Sequence, residues 1–169
     1  MNQAHWHLIV NHFPVIGTIF SFILLATGIF LNKSDIKKAS LGLFVLVGIL
    51  TIPAYITGEG AEDVLETNGI NAYNFVEAHE DLAAIALWTS LITAFFAAIA
   101  FFFESKKSSL SKIFIYSTLI ISLGNMILLK SVATSGGEIR HTEIRTTTVA
   151  SNTAQPPASS EQESKEKED

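Results

Sequence analysis

An all-α membrane protein, a four-helix bundle with four transmembrane segments, is the fold class this sequence predicts, and three observations carry the prediction. The apolar residues are bunched into four runs, each near the ~20 residues a helix needs to cross a hydrocarbon core. Charged residues are only 16% of the 169, below the ~25% usual for soluble domains. Lysines and acids sit in different connections between the runs, as they do when connections lie on opposite sides of a bilayer. A soluble bundle with four such runs would have too little polar surface to wet its outside.

The first segment is predicted over 8–31, LIVNHFPVIGTIFSFILLATGIFL. No Lys or Arg precedes it, and it exceeds the apolar core of a cleaved signal, so it reads as retained. Pro14 lacks the N–H that would bond the Val10 carbonyl, which bends the helix there. The connection NKSDIKKAS sets Lys33, Lys37 and Lys38 against Asp35. The second segment covers 39–58, and Pro53 frees the carbonyl of Ile49 in the same way. Glu59 to Asp81 then reads as a long acidic loop without Lys or Arg.

The third segment covers 81–103. Stepping by helical repeats from His79 gives Ala83, Ala86, Ser90, Thr93 and Ala97, while Leu82, Trp88, Phe95, Phe96 and Phe101 fall elsewhere. Small residues line helix contacts in membranes, so this stripe, with His79 at its head, should face the bundle. On the second segment Gly48, Thr51, Tyr55, Gly58 and Glu62 repeat the pattern more weakly. ESKKSSLSK brings Lys106, Lys107 and Lys112 before the fourth segment, 110–133. Lys130 lies near its far end and snorkels or pairs with a carboxylate. The glycines before Glu138 read as a helix stop. Residues 1–145 thus form one transmembrane domain. The remainder, 146–169, has adjacent prolines, few apolar residues and an acidic finish, and is expected to be disordered.

Short basic connections stay on the cytoplasmic side. Both termini and the acidic loop therefore point outward, to the periplasm, from the inner membrane. Arg140 and Arg145 count against this orientation. It gathers all five histidines, His5, His7, His12, His79 and His141, on the outer face. His5 and His7, beside Trp6, read as members of an interfacial aromatic belt.

The chain contains no cysteine, which excludes disulfides, thiolate-held iron–sulfur clusters and cysteine nucleophiles. A net charge of −5 without a basic stripe argues against nucleic acid. No nucleophile-elbow pattern supports a hydrolase. Ionisable groups close to hydrocarbon are rarely idle, so the outer rim is where chemistry is expected. His12 and His79 have suitable depth to be axial ligands of an outer haem b. His12, Glu59, Glu77, His79 and His141 together offer imidazole and carboxylate to a divalent metal. Glu138 and His141 have the i, i+3 spacing of di-iron bundles, but the spacing occurs once rather than twice.

HFPVIG in the first segment, PAYITGEGAE after the second, EAHE entering the third and SGGEIRHTE after the fourth resemble a bacterial family of four-helix membrane proteins. That family is catalogued as domain of unknown function twenty-two thirty-one, and the wording is similar to its Bacteroidetes-type members. The resemblance covers roughly 4–145. It implies four spans and a signature at His12, Glu59, Glu77, His79, Gly137 and His141. Fusion of some relatives to Rieske-type iron–sulfur domains implies an electron-transfer neighbourhood.

The resulting expectation is an integral membrane protein whose outer histidine/carboxylate site binds haem b or a divalent metal ion. It would serve a respiratory or redox membrane complex as a subunit more than as a free-standing enzyme. The alternative is a cofactor-free accessory subunit whose rim residues are a polar helix-end network. An ion carrier using Lys130, Glu77 and His79 is the weakest reading, because the other half of the bundle offers no ionisable relay.

Overall fold

The computed structural model describes residues 1–68 and 72–145. The expectation of a disordered tail over 146–169 lies outside them. Five α-helices follow in order: α1 (Gln3–Val10), α2 (His12–Phe30), α3 (Ser34–Thr67), α4 (Tyr73–Ser105) and α5 (Ser111–Arg140). A single 3₁₀ turn, Thr142–Ile144, ends the described chain, and no strand occurs among the described residues. The α1–α2 stretch (Gln3–Phe30), α3, α4 and α5 are four spans long and apolar enough to cross a membrane. The described residues are helical in architecture, and four such spans are those of a multi-pass membrane protein. Sequence neighbours pack side by side, and α2 against α5 closes the ring, with α1 lying on α3.

The helical runs start and stop where backbone chemistry requires. Asn2 caps α1 by accepting from the His5 N–H at 3.0 Å, the role its short amide side chain suits. α1 and α2 are separated at Asn11, three residues before the proline that cannot bond Val10. Pro53 stands inside α3, which continues through it. The two turns at the lysine-bearing end share one design. Lys33 N–H reaches Gly28 O and Asn32 N–H reaches Ile29 O; Ser108 N–H reaches Phe103 O and Lys107 N–H reaches Glu104 O. This is the paired closure of a helix whose next residue is left-handed. Asn32 (φ 49°) and Lys107 (φ 53°) fill that place. Asparagine tolerates it, whereas for lysine it costs about 1–2 kcal/mol.

Three boundaries differ from expectation. Most of the acidic stretch Glu59 to Asp81 is helical: α3 runs on to Thr67 and α4 begins at Tyr73. The glycines before Glu138 do not stop α5, which passes through Gly136 and Gly137 to Arg140. The first helix begins at Gln3, ahead of the apolar run that starts at residue 8. One cause underlies all three, since apolar runs mark where lipid is and not where the helical hydrogen-bond ladder ends. The 34 residues of α3, at ~1.5 Å each, make about 51 Å against a hydrocarbon core of ~30 Å. Its polar final turns therefore stand clear of the apolar zone.

The small stripe of α4 behaves as read: Ala86, Ser90, Thr93 and Ala97 are buried, while Trp88, Phe95 and Phe101 are exposed. On α3, Gly48 and Thr51 are buried but Tyr55 is exposed. The apolar core lies toward the lysine-bearing end. There Leu25, Leu41, Phe44, Ala97, Ala100 and Ile115 pack together, with Phe114 against them, and Phe103 stacks on Phe114 at 5.4 Å. At the same end Lys37 Nζ pairs with Glu104 at 2.8 Å, with side chains only 15% and 9% exposed.

Candidate functional site

The opposite end of the bundle carries the histidines, and two of them meet. His7 of α1 and His79 of α4 lie with ring centroids 6.4 Å apart and ring planes at 85°. His79 heads the small stripe of α4, so its inward direction follows from the stripe. His7 is turned inward because α1 lies along α3. The aromatic-belt expectation for His7 is thus corrected: it is half-buried, whereas His5 and Trp6 beside it are exposed. One helical step separates a water-facing ring from a helix-facing one, which composition near Trp6 does not reveal.

Hydrogen bonding ties both rings to neighbouring helices and sets the tautomer of His7. His7 Nδ1 lies 3.0 Å from the Ala54 carbonyl oxygen and 3.3 Å from Thr57 Oγ1. A carbonyl only accepts, so Nδ1 carries the proton and Nε2 a bare lone pair. His79 Nδ1 lies 3.0 Å from Ser135 Oγ. The Ser135 hydroxyl also lies 3.0 Å from Val132 O, a carbonyl that in turn hydrogen-bonds the His79 ring, so the three groups form one network joining α4 to α5. Metal-ligating histidines are oriented as His7 is, one ring nitrogen tied to a protein acceptor and the other free.

Glycines bring backbone against these rings. A Cβ on Gly136 of α5 would stand 2.9 Å from His79 Cε1, and one on Gly58 of α3 would stand 3.6 Å from His7 Cε1. At Gly60, a Cβ would meet Gln3 Cγ at 2.7 Å, which shows how tightly α1 lies on α3. The pair is therefore enclosed by α1, α3, α4 and α5. Beyond it Glu62 of α3 and Glu80 of α4 approach each other.

The remaining residues singled out in the sequence are placed apart from this pair. His12 is exposed and its Nδ1–H donates to Leu8 O, near the end of α1, at 2.9 Å. Glu59 and Glu77 are exposed on α3 and α4. His141 follows the last residue of α5 and bonds Glu143 at 2.9 Å, both largely exposed. That carboxyl is held below the usual carboxylate range by its own backbone N–H and by the His141 ring. Arg145 folds back onto the end of α5, donating to Glu138 O at 2.8 Å and Ile139 O at 3.1 Å, with its guanidinium 4.0 Å over Phe75. Lys130 is exposed. Among the described residues, no three His, Asp or Glu side chains gather as a ready metal-ion cage.

Comparison with protein-family models, with curated proteins and with solved structures finds no match for this chain.

Proposed function

We propose that this membrane protein holds a single transition-metal ion between His7 and His79, at the end of the bundle that faces outward, in an electron-transfer setting. The observation that carries the reading is the pair itself: two part-buried imidazoles 6.4 Å apart, each with Nδ1 held by a neighbouring helix. Two metal–nitrogen bonds of ~2.0–2.1 Å, lengthened by the radius of each ring, come to about 6 Å. Imidazole suits zinc, copper, iron and nickel. Haem iron between axial imidazoles needs the same span. The backbone packed on the ring edges at Gly58 and Gly136 favours a bare ion over a macrocycle. Further coordination positions would be filled by water or an incoming ligand. In this reading the family resemblance supplies the redox neighbourhood, and the lysine asymmetry puts the site on the periplasmic side of the inner membrane.

The same hydrogen bonds favour a second reading, in which the histidines pin helix ends in an accessory subunit: His7 ties α1 to α3 and His79 ties α4 to α5. One experiment separates the two. Protein purified from native membrane without chelator is analysed for metal and for an absorption spectrum. About one metal ion per chain, lost in both His7→Ala and His79→Ala, is the result expected for a site. A Soret band would replace the ion by haem. Metal-free protein, with both variants losing about 1 kcal/mol of stability per hydrogen bond, would leave the pin alone.

A further inference from the structure

The end of the bundle opposite the histidines carries six lysines, Lys33, Lys37, Lys38, Lys106, Lys107 and Lys112, on its two turns and the helix starts beside them. Only two acids accompany them, and both are engaged. Glu104 is buried against Lys37 at 2.8 Å, and its carboxyl also meets the Ser34 and Ser111 side chains at the starts of α3 and α5. Asp35 pairs with Lys38 at 2.9 Å. The Lys37–Glu104 bridge joins the first turn to the second, so the cations of both turns form one surface. Lys33, Lys106, Lys107 and Lys112 are exposed and make no ion pair among the described residues.

Their depth is set by what lies next to them. Exposed Phe30 and Leu31 immediately precede Asn32 and Lys33, and exposed Phe101 and Phe102 precede Lys106. The Lys106 ammonium lies 5.9 Å over the Phe102 ring. Apolar side chains that require lipid are thus followed within a turn by free ammonium groups, which places those groups at the level of lipid phosphates. Lys107 adds a second, independent sign. It occupies a left-handed position, φ 53°, where glycine would be unstrained, and its side chain extends a cation from the C-terminus of α4.

We infer that this surface binds anionic phospholipid, the phosphate of a headgroup such as phosphatidylglycerol being held by Lys33, Lys106, Lys107 and Lys112 across the two turns. The site does not depend on the metal reading at the other end. The test uses the full chain in detergent, with lipid retention measured by native mass spectrometry against phosphatidylglycerol and phosphatidylcholine. Phosphatidylglycerol should be retained at least tenfold more tightly, and the preference should fall as salt rises. Each Lys→Gln change should weaken it about fivefold. Lys107→Gly is the variant that separates binding from folding, since it relieves the strained backbone. It should lose the same fivefold while thermal stability in lipid-free detergent stays level or rises. Equal retention of the two lipids would overturn the inference. So would an unchanged preference in Lys33→Gln/Lys106→Gln/Lys107→Gln/Lys112→Gln, or displacement of the lipid by equimolar inorganic phosphate.

Discussion

The two ends of this bundle are closed by different chemistry. At the lysine-bearing end the helices are joined by bulk and charge: Leu25, Leu41 and Phe44 fill the centre, and one buried ion pair bridges the turns. At the histidine-bearing end Phe75 and Val76 are the bulky buried side chains. Helices approach through glycines at Gly58, Gly60 and Gly136, and neutral side chains tie one backbone to the next. A charge pair tolerates small displacements, because Coulomb attraction falls slowly with distance. A hydrogen bond to a carbonyl requires alignment. The first end is therefore built to hold, and the second keeps two imidazole rings in fixed positions against neighbouring helices.

The largest expected effect breaks the first end. Glu104→Ala leaves the Lys37 ammonium buried without a partner and should destabilise the protein by about 3–5 kcal/mol, read as the shift in thermal unfolding in detergent. Lys37→Met/Glu104→Leu removes both charges and should recover most of that loss, since well-packed apolar residues replace a buried pair at little cost. If the single and the double variant unfold alike, the pair is not what closes this end. Metal binding at the far end should survive in the double variant.

A smaller effect sharpens the second end. Gly136→Ala puts a Cβ 2.9 Å from His79 Cε1, closer than such contacts can be. The ring must turn, which disturbs its bond to Ser135. Overpacking of this kind costs about 1–3 kcal/mol, and loss of an orienting partner weakens metal affinity about 10–100-fold. Gly58→Ala is the matched control, because its Cβ would rest at an ordinary 3.6 Å from His7 Cε1. It should leave metal affinity, measured by chelator competition, within about twofold. A Gly136→Ala protein with unaltered affinity would detach the ring orientation from the proposed site.

The same contrast explains what the sequence made legible. The spans and the buried face of α4 were readable because lipid and small-residue packing each impose a period on residue type, as Ala86, Ser90 and Thr93 show. His79 was readable as inward-facing for that reason. Its neighbour His7 was not, because α1 buries none of its residues fully and so carries no stripe to give its direction away. What turns His7 inward is a tertiary contact, the Ala54 carbonyl 47 positions away. His12 looked equivalent by depth, yet its Nδ1–H is satisfied by Leu8 O one turn back. Gly58 and Gly136 were visible as glycines, but only coordinates show that each lies against a ring.

The smallest effect concerns the middle, where the two kinds of closure meet. Asn125 of α5 is 3% exposed. It accepts from Thr89 Oγ1 at 2.8 Å and donates to Ser90 Oγ at 3.1 Å. Most neighbouring hydroxyls are satisfied by their own helix, as Thr93 Oγ1 is by Thr89 O at 2.7 Å, so Asn125 is what joins α4 to α5 in polar terms at this depth. Such bonds contribute about 0.6 kcal/mol in membranes, at most ~1.7, because helices separated in lipid find other partners. With two such bonds, Asn125→Leu should therefore cost about 1.2 kcal/mol, less than half of Glu104→Ala in thermal unfolding, while Asn125→Asp, which would bury a carboxyl, should cost more than Asn125→Leu. If Asn125→Leu matched Glu104→Ala, the α4–α5 seam rather than either end would be the principal fastening of the bundle.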